Sequence, residues 1–347
     1  MIQEIKLKNV RKFSNLDLSI NSNKVILEGS NAIGKTTILE AIYLTSITKS
    51  HRTNNLKEII KEENPYLDVK VRYEGNLFRI VVSSAGKMVS INNTEKAKIS
   101  EYIGLFPTVF FCPNDLEIIT GSPTLRRVFL NQEISQISST YLVELNTYNK
   151  LLSERNSLLK SMNENSDTKL LDVITKQLIE VAKKIITKRM KFVDNLNQEI
   201  NNIHSKINSN EFINITYLPS TPIDRIEEIF EAKKMSDILS QQTNYGIQRD
   251  DLVFNINGKN AMKYASQGQI RNIILSAKLS LCKIIYKYKH KYPVLLLDDV
   301  LSELDLQRQN SLLNLLYELK NIQTFISTVD TSSLNKEILK KYQIIKL

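Results

Sequence analysis

The chain has 347 residues, of which 42% are hydrophobic and 24% charged, a composition that excludes a mainly disordered or fibrous protein. Its formal net charge of +10 favours a polyanionic partner, although lysine richness can also reflect genomic base composition. The only cysteines, Cys112 and Cys282, lie far apart, which indicates a reducing compartment and no disulfide scaffold. No uncharged run reaches the roughly 18 residues of a membrane span, and Glu4 and Lys6 interrupt any apolar leader. We therefore predict a cytoplasmic protein.

The N-terminal part of the chain has the pattern of strands around one helix. Residues 1 to 29 predict two paired strands and then a short apolar strand, Val25-Ile26-Leu27, of the kind that is buried on both faces. Apolar residues from Ile38 to Tyr43 then recur at helical spacing. Residues 67 to 91 alternate between apolar and polar, with glycine turns between the runs, and predict an antiparallel meander.

The middle of the chain changes to a helical pattern. From about 133 to 207, apolar residues form one stripe that is interrupted near Asn163, which predicts an antiparallel helical hairpin. Residues 212 to 218, 252 to 258 and 292 to 297 predict strands again. Because the strand pattern resumes, we interpret the helical segment as an insertion into one nucleotide-binding lobe.

The predicted fold class is thus α/β, with a P-loop head, an antiparallel meander and an inserted helical hairpin. The predicted division is into residues 1–130, the N-terminal part of the head, residues 131–210, the helical lobe, and residues 211–347, the C-terminal part of the head.

A glycine-rich loop follows the first buried strand and precedes the first helix. It matches the pattern G-x-x-x-x-G-K-[ST], in the strand-loop-helix context that this pattern requires. Its residues are Gly29, Ser30, Asn31, Ala32, Ile33, Gly34, Lys35 and Thr36, followed by Thr37. Backbone N–H groups of such a loop surround phosphates, the lysine contacts the β- and γ-phosphate oxygens, and the threonine hydroxyl binds Mg²⁺. The loop therefore predicts ATP and Mg²⁺ as ligands.

Two carboxylates end the last predicted buried strand, Pro293 to Leu297. Asp298 is in the Walker B position and would hold Mg²⁺ through its water shell. Asp299 would orient or deprotonate the attacking water. The alternative for Asp299 is an ordinary helix N-cap, which is common for aspartate at a strand-to-helix turn.

A serine-glycine segment precedes a predicted helix closer to the C-terminus. Ser266, Gly268 and Gln269 belong to the run SQGQ, which is followed by apolar residues at helical spacing. A helix N-terminus of this type can bind an anion, because its first N–H groups have no partner within the helix. By itself the run is a weak signal that an ordinary capped helix explains better, and it becomes informative only together with the two Walker elements.

These segments together resemble the ATP-binding-cassette superfamily, and within it the RecF family of bacterial recombination mediators. The resemblance spans nearly the whole chain. Besides the glycine loop and SQGQ, it is carried by Pro113-Asn114-Asp115-Leu116, Gly121-Ser122-Pro123, Arg126-Arg127, Arg249-Asp250-Asp251 and the run from Leu295 to Asp305. It implies an ATPase head with a helical second lobe, which dimerises on ATP and binds DNA at gaps and junctions. It further implies slow hydrolysis, a role in DNA repair, replication restart and the SOS response, the partners RecO and RecR, and assistance in loading RecA.

The resemblance also implies roles for single residues. Ser266, Gly268 and Gln269 of one subunit would cap the γ-phosphate bound by the other. Asp305 would face the partner subunit, and Thr328 would stand where such ATPases sense the γ-phosphate. Arg126 and Arg127 are then candidates for contacts with DNA.

Three positions depart from the family pattern. Ala32 stands where relatives usually have glycine. Asp299 replaces the glutamate of fast cassette ATPases, and its shorter side chain predicts slow turnover. Gln248 precedes Arg249 where a histidine is expected.

Two other functions share this fold. A chromosome-organising or Rad50-like ATPase would need long coiled-coil arms, whereas the predicted helices reach only about 40 to 60 Å at 1.5 Å per residue. An ATPase subunit of a transporter would use ATP without DNA. A phosphate-tracking face could be formed by Lys183, Lys184, Lys188 and Lys191, but a solvated helix face explains them slightly better.

Overall fold

The computed structural model describes residues 1–302 and 304–347 and divides into two compact units. The first unit contains residues 1–115 and 274–347, and the second contains residues 116–273. The second unit begins before the predicted helical lobe and ends well after it. The reason is that three strands pair with one another there, and one of them packs on the long helix of the hairpin.

Fourteen strands and eleven α-helices are present in the part of the chain that the structure describes. The strands are β1 Ile2–Val10, β2 Phe13–Ser19, β3 Lys24–Glu28, β4 Tyr66–Tyr73, β5 Asn76–Ser83, β6 Gly86–Ile91, β7 Thr94–Glu95, β8 Thr108–Phe111, β9 Ile213–Leu218, β10 Asp251–Ile256, β11 Lys259–Asn260, β12 Val294–Leu297, β13 Thr324–Thr328 and β14 Gln343–Lys346. The helices are α1 Lys35–Ile47, α2 Glu117–Thr120, α3 Pro123–Ile137, α4 Ser139–Leu159, α5 Lys169–His204, α6 Ile226–Ala232, α7 Lys234–Ser240, α8 Ala261–Tyr264, α9 Gln267–Lys289, α10 Leu306–Glu318 and α11 Lys336–Leu339.

The first unit contains two sheets. Strands in the order β14-β3-β13-β12-β8 form a parallel sheet, and β2-β1-β4-β5-β6-β7 form an antiparallel one. The central strands β3, β12 and β13 are buried, which explains their continuous apolar runs. Helix α1 contacts strands of both sheets, and all its residues except Thr36 are buried. The predicted α/β class and antiparallel meander are therefore confirmed.

The second unit is built around the helical hairpin. Lys188 in α5 pairs with Glu144 in α4, and Arg155 in α4 donates to Thr175 in α5. The earlier residue of α4 therefore pairs with the later residue of α5, and the later residue of α4 with the earlier one of α5. The two helices are thus antiparallel, as predicted. The sheet β11-β10-β9 packs on α5 through β9.

Buried ion pairs hold this second unit together. The guanidinium of Arg189 lies 2.7 Å from a carboxylate oxygen of Asp250, and that of Arg155 lies 2.9 Å from Asp237, with all four side chains almost inaccessible. Gln248, where the resemblance leads us to expect histidine, accepts a hydrogen bond from the hydroxyl of buried Tyr148. In this chain Gln248 therefore has a structural contact of its own, joining the segment before β10 to helix α4.

Candidate nucleotide site

The glycine loop lies between the end of β3 and the first turn of α1. Gly34 is the N-cap residue of α1 and has φ of +112°, while Ala32 has φ of +63°. Ala32 thus adopts the left-handed conformation that favours glycine, at a cost of about 1–2 kcal/mol for an L-residue. The N-terminus of α1 presents N–H groups without helical partners, together with the positive end of the helix dipole, and this suits an anion.

Close packing beneath the loop makes Gly34 necessary. A Cβ atom added there would lie only 2.6 Å from Cε2 of Phe13 and 3.0 Å from Cε of Lys12. The backbone therefore occupies a space that a side chain would fill, as expected of a loop that must approach phosphates closely.

We expect Gly34→Ala to weaken ATP binding by at least about tenfold, a loss of about 1.4 kcal/mol. Both the positive φ and the overlap with Phe13 oppose the substitution, and isothermal titration calorimetry measures its effect. Gly75→Ala is the matched control, because Gly75 also has a positive φ of +79° but no atom within 4 Å of the added Cβ. Equal effects of the two substitutions on ATP affinity would exclude the packing argument.

Lys35 folds back over the loop that precedes it. Its Nζ donates to the carbonyl oxygens of Gly29, at 2.5 Å, and Ser30, at 2.8 Å. Burial lowers the pKa of Lys35, while the nearby carboxylates of Asp299 and Asp298 oppose that shift. The ammonium group is thus held at the loop, where phosphate oxygens could replace the carbonyls.

The two Walker elements meet through side chains. The hydroxyl of Thr36 donates to Oδ1 of Asp298 at 3.0 Å, and that of Ser327, at the end of β13, donates to the same oxygen at 2.7 Å. Burial raises the pKa of Asp298, and the two donors act against that rise. A hydroxyl and a carboxylate in contact are the ligand types that Mg²⁺ uses beside phosphates, so these residues fit that ion.

Asp299 follows in the left-handed conformation, with φ of +50°. It does not cap a helix: Asp305 is the N-cap of α10 and accepts a hydrogen bond from the backbone N–H of Arg308 at 2.9 Å. Asp305 is exposed, and Thr328 is buried at the end of β13, next to Ser327. Thr328 donates to the carbonyl of Asp330 at 3.3 Å. The partner-facing role of Asp305 and the phosphate-sensing role of Thr328 stay predictions.

The turn between β1 and β2 supplies side chains that the sequence reasoning missed. Lys12 donates to the carbonyl of Ala32 at 2.6 Å. Arg11 makes two hydrogen bonds, at 2.9 and 3.0 Å, to the fully buried carboxylate of Glu40 in α1. The sequence did contain one signal of this contact. Glu40 is a charged residue among the apolar residues of α1, and a buried charge is almost always paired. These contacts fix the turn against the loop.

The serine-glycine segment lies in the second unit, at the start of α9. Oγ of Ser266 accepts from the backbone N–H of Gln269 at 3.3 Å, and Oε1 of Gln269 accepts from the N–H of Ser266 at 2.9 Å. This reciprocal pair is a capping box. Ser266 and Gly268 are exposed, and nothing lies within 4 Å of a Cβ added at Gly268. The helix tip is thus ordered and open to solvent.

The two arginines proposed for DNA lie at the start of α3. Arg126 is 6% exposed, and its guanidinium makes two hydrogen bonds to Asp251 and one to the carbonyl of Gly121. Arg127 is half-buried and donates to the carbonyl of Asp250 and the hydroxyl of Thr124. Arg126 therefore has an evident structural role, which its sequence context did not reveal.

Comparison with known proteins identifies the family. The family model of the RecF/RecN/SMC N-terminal domain matches residues 1–346. The chain is 40% identical to the DNA replication and repair proteins RecF of Bacillus cytotoxicus and Bacillus mycoides, with 99% of this chain and 96% of each relative covered. The chain belongs to the RecF family.

Solved structures agree with this assignment. A structure of the recombination mediator protein RecF with ATP, in the RecFOR pathway, superposes with a TM-score of 0.89 at 32% identity, covering 96% of this chain and 93% of that one. An Smc head bound to the C-terminal winged-helix domain of ScpA gives 0.57 at 14% identity, covering 99% of this chain and 93% of that one, which shows a shared fold only. Among the helices of residues 1–302 and 304–347, none combines the length and hydropathy of a membrane span.

Proposed function

We propose that this RecF-family chain is an ATP-gated DNA-binding mediator of recombinational repair and replication restart. The observation that carries the proposal is the direct contact of Thr36 with Asp298, beside the ammonium of Lys35. It brings together the phosphate-binding and metal-binding elements of a P-loop ATPase from positions more than 250 residues apart. The RecF relatives support the cellular role.

Each residue of the site has a defined task in this proposal. Backbone N–H groups of the loop bind phosphate oxygens, and Lys35 contacts the β- and γ-phosphates. Thr36 and Asp298 would hold Mg²⁺, which when bound offsets phosphate charge. Asp299 accepts a proton from water as the water oxygen bonds to the γ-phosphorus. The bond from that phosphorus to ADP breaks, and its electron pair leaves with ADP.

A second copy of the chain completes the site in this proposal. Ser266, Gly268 and Gln269 would bind the γ-phosphate held by the partner, with Asp305 and Thr328 near the same junction. The exposed tip of α9 supports this arrangement, because the first turn of a helix carries N–H groups without helical partners and the positive end of the helix dipole. Asp299 is shorter than a glutamate, which makes hydrolysis slow. The rate of ATP hydrolysis would therefore set the lifetime of the dimer.

Gel filtration with light scattering tests the ATP gate. With ATP and Mg²⁺ the protein should elute as a dimer, and without nucleotide as a monomer, whereas Ser266→Arg should stay monomeric and still bind ATP. A wild-type protein that remains monomeric at saturating ATP would overturn the gating mechanism.

DNA binding by the dimer should rest mainly on phosphate contacts and hence fall steeply with salt. Arg127 is the better placed of the two arginines: a guanidinium has five donors, so its two contacts within the chain are compatible with a phosphate contact as well. In the proposed lysine face, Lys183 and Lys188 are paired with Glu227 and Glu144, which favours the alternative of an ordinary solvated face for them.

We expect Arg127→Gln to weaken duplex binding and to reduce the slope of log affinity against log salt by about one, because one phosphate contact is lost. Fluorescence anisotropy between low and physiological salt measures the slope. Arg225→Gln is the control, since Arg225 is an exposed arginine of the same unit paired with Glu228. An unchanged slope would remove Arg127 from the DNA interface.

One observation and one experiment bear on the alternative functions. Helices α4 and α5 have 21 and 36 residues, which correspond to about 32 and 54 Å at 1.5 Å per residue, too short for the arms of a Rad50-like machine. Stimulation of ATP turnover by DNA would separate a repair protein from a transporter subunit, which should not respond. RecO and RecR are proposed partners on the strength of the RecFOR relative.

A further inference from the structure

One buried hydroxyl joins the two carboxylate residues of the candidate site. Ser327, 1% exposed in β13, donates its only hydroxyl proton to Oδ1 of Asp298 at 2.7 Å. The same oxygen of Ser327 accepts the backbone N–H of Asp299 at 2.8 Å. Both contacts run from one strand to the end of its neighbour, since β12 and β13 are adjacent in the parallel sheet.

The backbone at Asp299 needs such support. Its φ of +50° lies in a region that non-glycine residues rarely adopt, and such conformations persist only where the surroundings hold them. Without Ser327, the N–H of Asp299 would lose its acceptor, and the conformation that sets the direction of the carboxylate would lose a restraint. That carboxylate is close enough to Lys35 to act on its ammonium group, so its direction matters at the phosphate site.

We propose that Ser327 is a positioning residue for ATP hydrolysis, which ties the metal-binding carboxylate of Asp298 to the main chain of Asp299 and so orients the Asp299 side chain toward the attacking water. The inference rests on the proposed ATPase function and adds to it a residue outside the Walker and signature motifs. Ser327 itself touches neither substrate nor water in this mechanism. It acts through Asp298 and Asp299 only.

Three variants separate positioning from general stability. Ser327→Ala removes the hydroxyl, and Ser327→Thr keeps it on a side chain that suits a strand. Ser46→Ala is the matched control, because the Ser46 hydroxyl is equally buried in the same unit and donates to the carbonyl of Phe106 at 2.6 Å, away from the carboxylates. Melting temperatures show that each variant is folded.

The first measurement needs no nucleotide. Hydrogen exchange of the backbone amide of Asp299, followed by NMR or in peptides that include Asp299, should accelerate in Ser327→Ala and remain slow in Ser327→Thr and Ser46→Ala. The second measurement is ATP turnover beside ATP affinity. Ser327→Ala should lower the turnover rate by about 10- to 100-fold, the usual effect of losing a group that orients catalytic residues, and change ATP affinity by less than about threefold.

Each outcome decides the inference. The inference is supported if Ser327→Ala shows faster exchange at Asp299 and slow turnover with near-normal ATP affinity, and if Ser327→Thr restores slow exchange and normal turnover. Normal exchange or normal turnover in Ser327→Ala overturns it and leaves the ATPase proposal standing, as does an equal loss of turnover in Ser46→Ala. A wild-type protein that binds no ATP would overturn the ATPase proposal and this inference with it.

Discussion

Replacing Lys35 by alanine is expected to lower ATP affinity by about two orders of magnitude. The Nζ group of Lys35 already makes two short hydrogen bonds inside the loop, and phosphate oxygens would take over that charge-assisted bonding. Hydrogen bonds to charged groups contribute about 1.5–3 kcal/mol each, so the loss of one or two accounts for the expected factor. Titration calorimetry with a slowly hydrolysed ATP analogue measures the change.

Lys24→Ala is the matched control for this experiment. Lys24 is likewise a buried lysine of the first unit, 1% exposed, and its Nζ donates to the carbonyl oxygens of Leu319 and Ile322. It lies at the start of β3, whereas the phosphate loop follows the other end of that strand. We expect Lys24→Ala to lower the melting temperature and leave ATP affinity nearly unchanged. ATP affinity that survives in Lys35→Ala would show that the loop does not bind phosphate as proposed.

The second large effect is expected for Asp299→Asn. The amide preserves the shape of the side chain but cannot accept the proton of the attacking water, so hydrolysis should slow by about 100-fold or more, as is typical when a general base is lost. ATP binding should persist, because Lys35 and the loop are untouched. In the proposed mechanism the ATP-bound dimer would then accumulate and outlast that of the wild type. Phosphate release and gel filtration follow the two effects.

Asp330→Asn is the companion variant. Asp330 is an exposed aspartate two residues beyond β13, and it accepts hydrogen bonds from the backbone and side chain of Ser332. The Asp330→Asn protein should hydrolyse ATP at the wild-type rate. A normal hydrolysis rate in Asp299→Asn would assign Asp299 to a structural role. Slow hydrolysis without a persistent dimer would support Asp299 as the general base but contradict the proposal that hydrolysis sets the lifetime of the dimer.

The class of fold and the two Walker elements were predictable from the sequence because their signals are local. A buried parallel strand reads as a continuous apolar run, and the glycine loop must follow it directly to place phosphates at the helix N-terminus. The antiparallel meander was likewise evident from alternation and turn glycines. The α4–α5 hairpin followed from one apolar stripe with one interruption.

Other parts of the site depended on contacts between distant segments. Ser327 lies 28 residues beyond Asp299 in sequence, and only the pairing of β12 with β13 brings its hydroxyl to that backbone N–H. Arg126 reads as an exposed base in a basic pair, yet it is buried against Asp251, 125 residues away. Glu40 carried a visible signal, but its partner Arg11 was not predictable because the β1–β2 turn could face either sheet surface.

The sequence by itself determined that this chain has a glycine-rich loop after one buried strand, a pair of carboxylates after another and a serine-glycine segment at the start of a helix, since each of these motifs is contiguous in the chain. Only the tertiary structure decided which hydroxyl groups donate hydrogen bonds to Asp298, which backbone conformation Asp299 adopts and which charged side chains form ion pairs within the chain. These depend on strand order and burial, and a hydrogen bond between remote residues leaves no periodic trace in the chain.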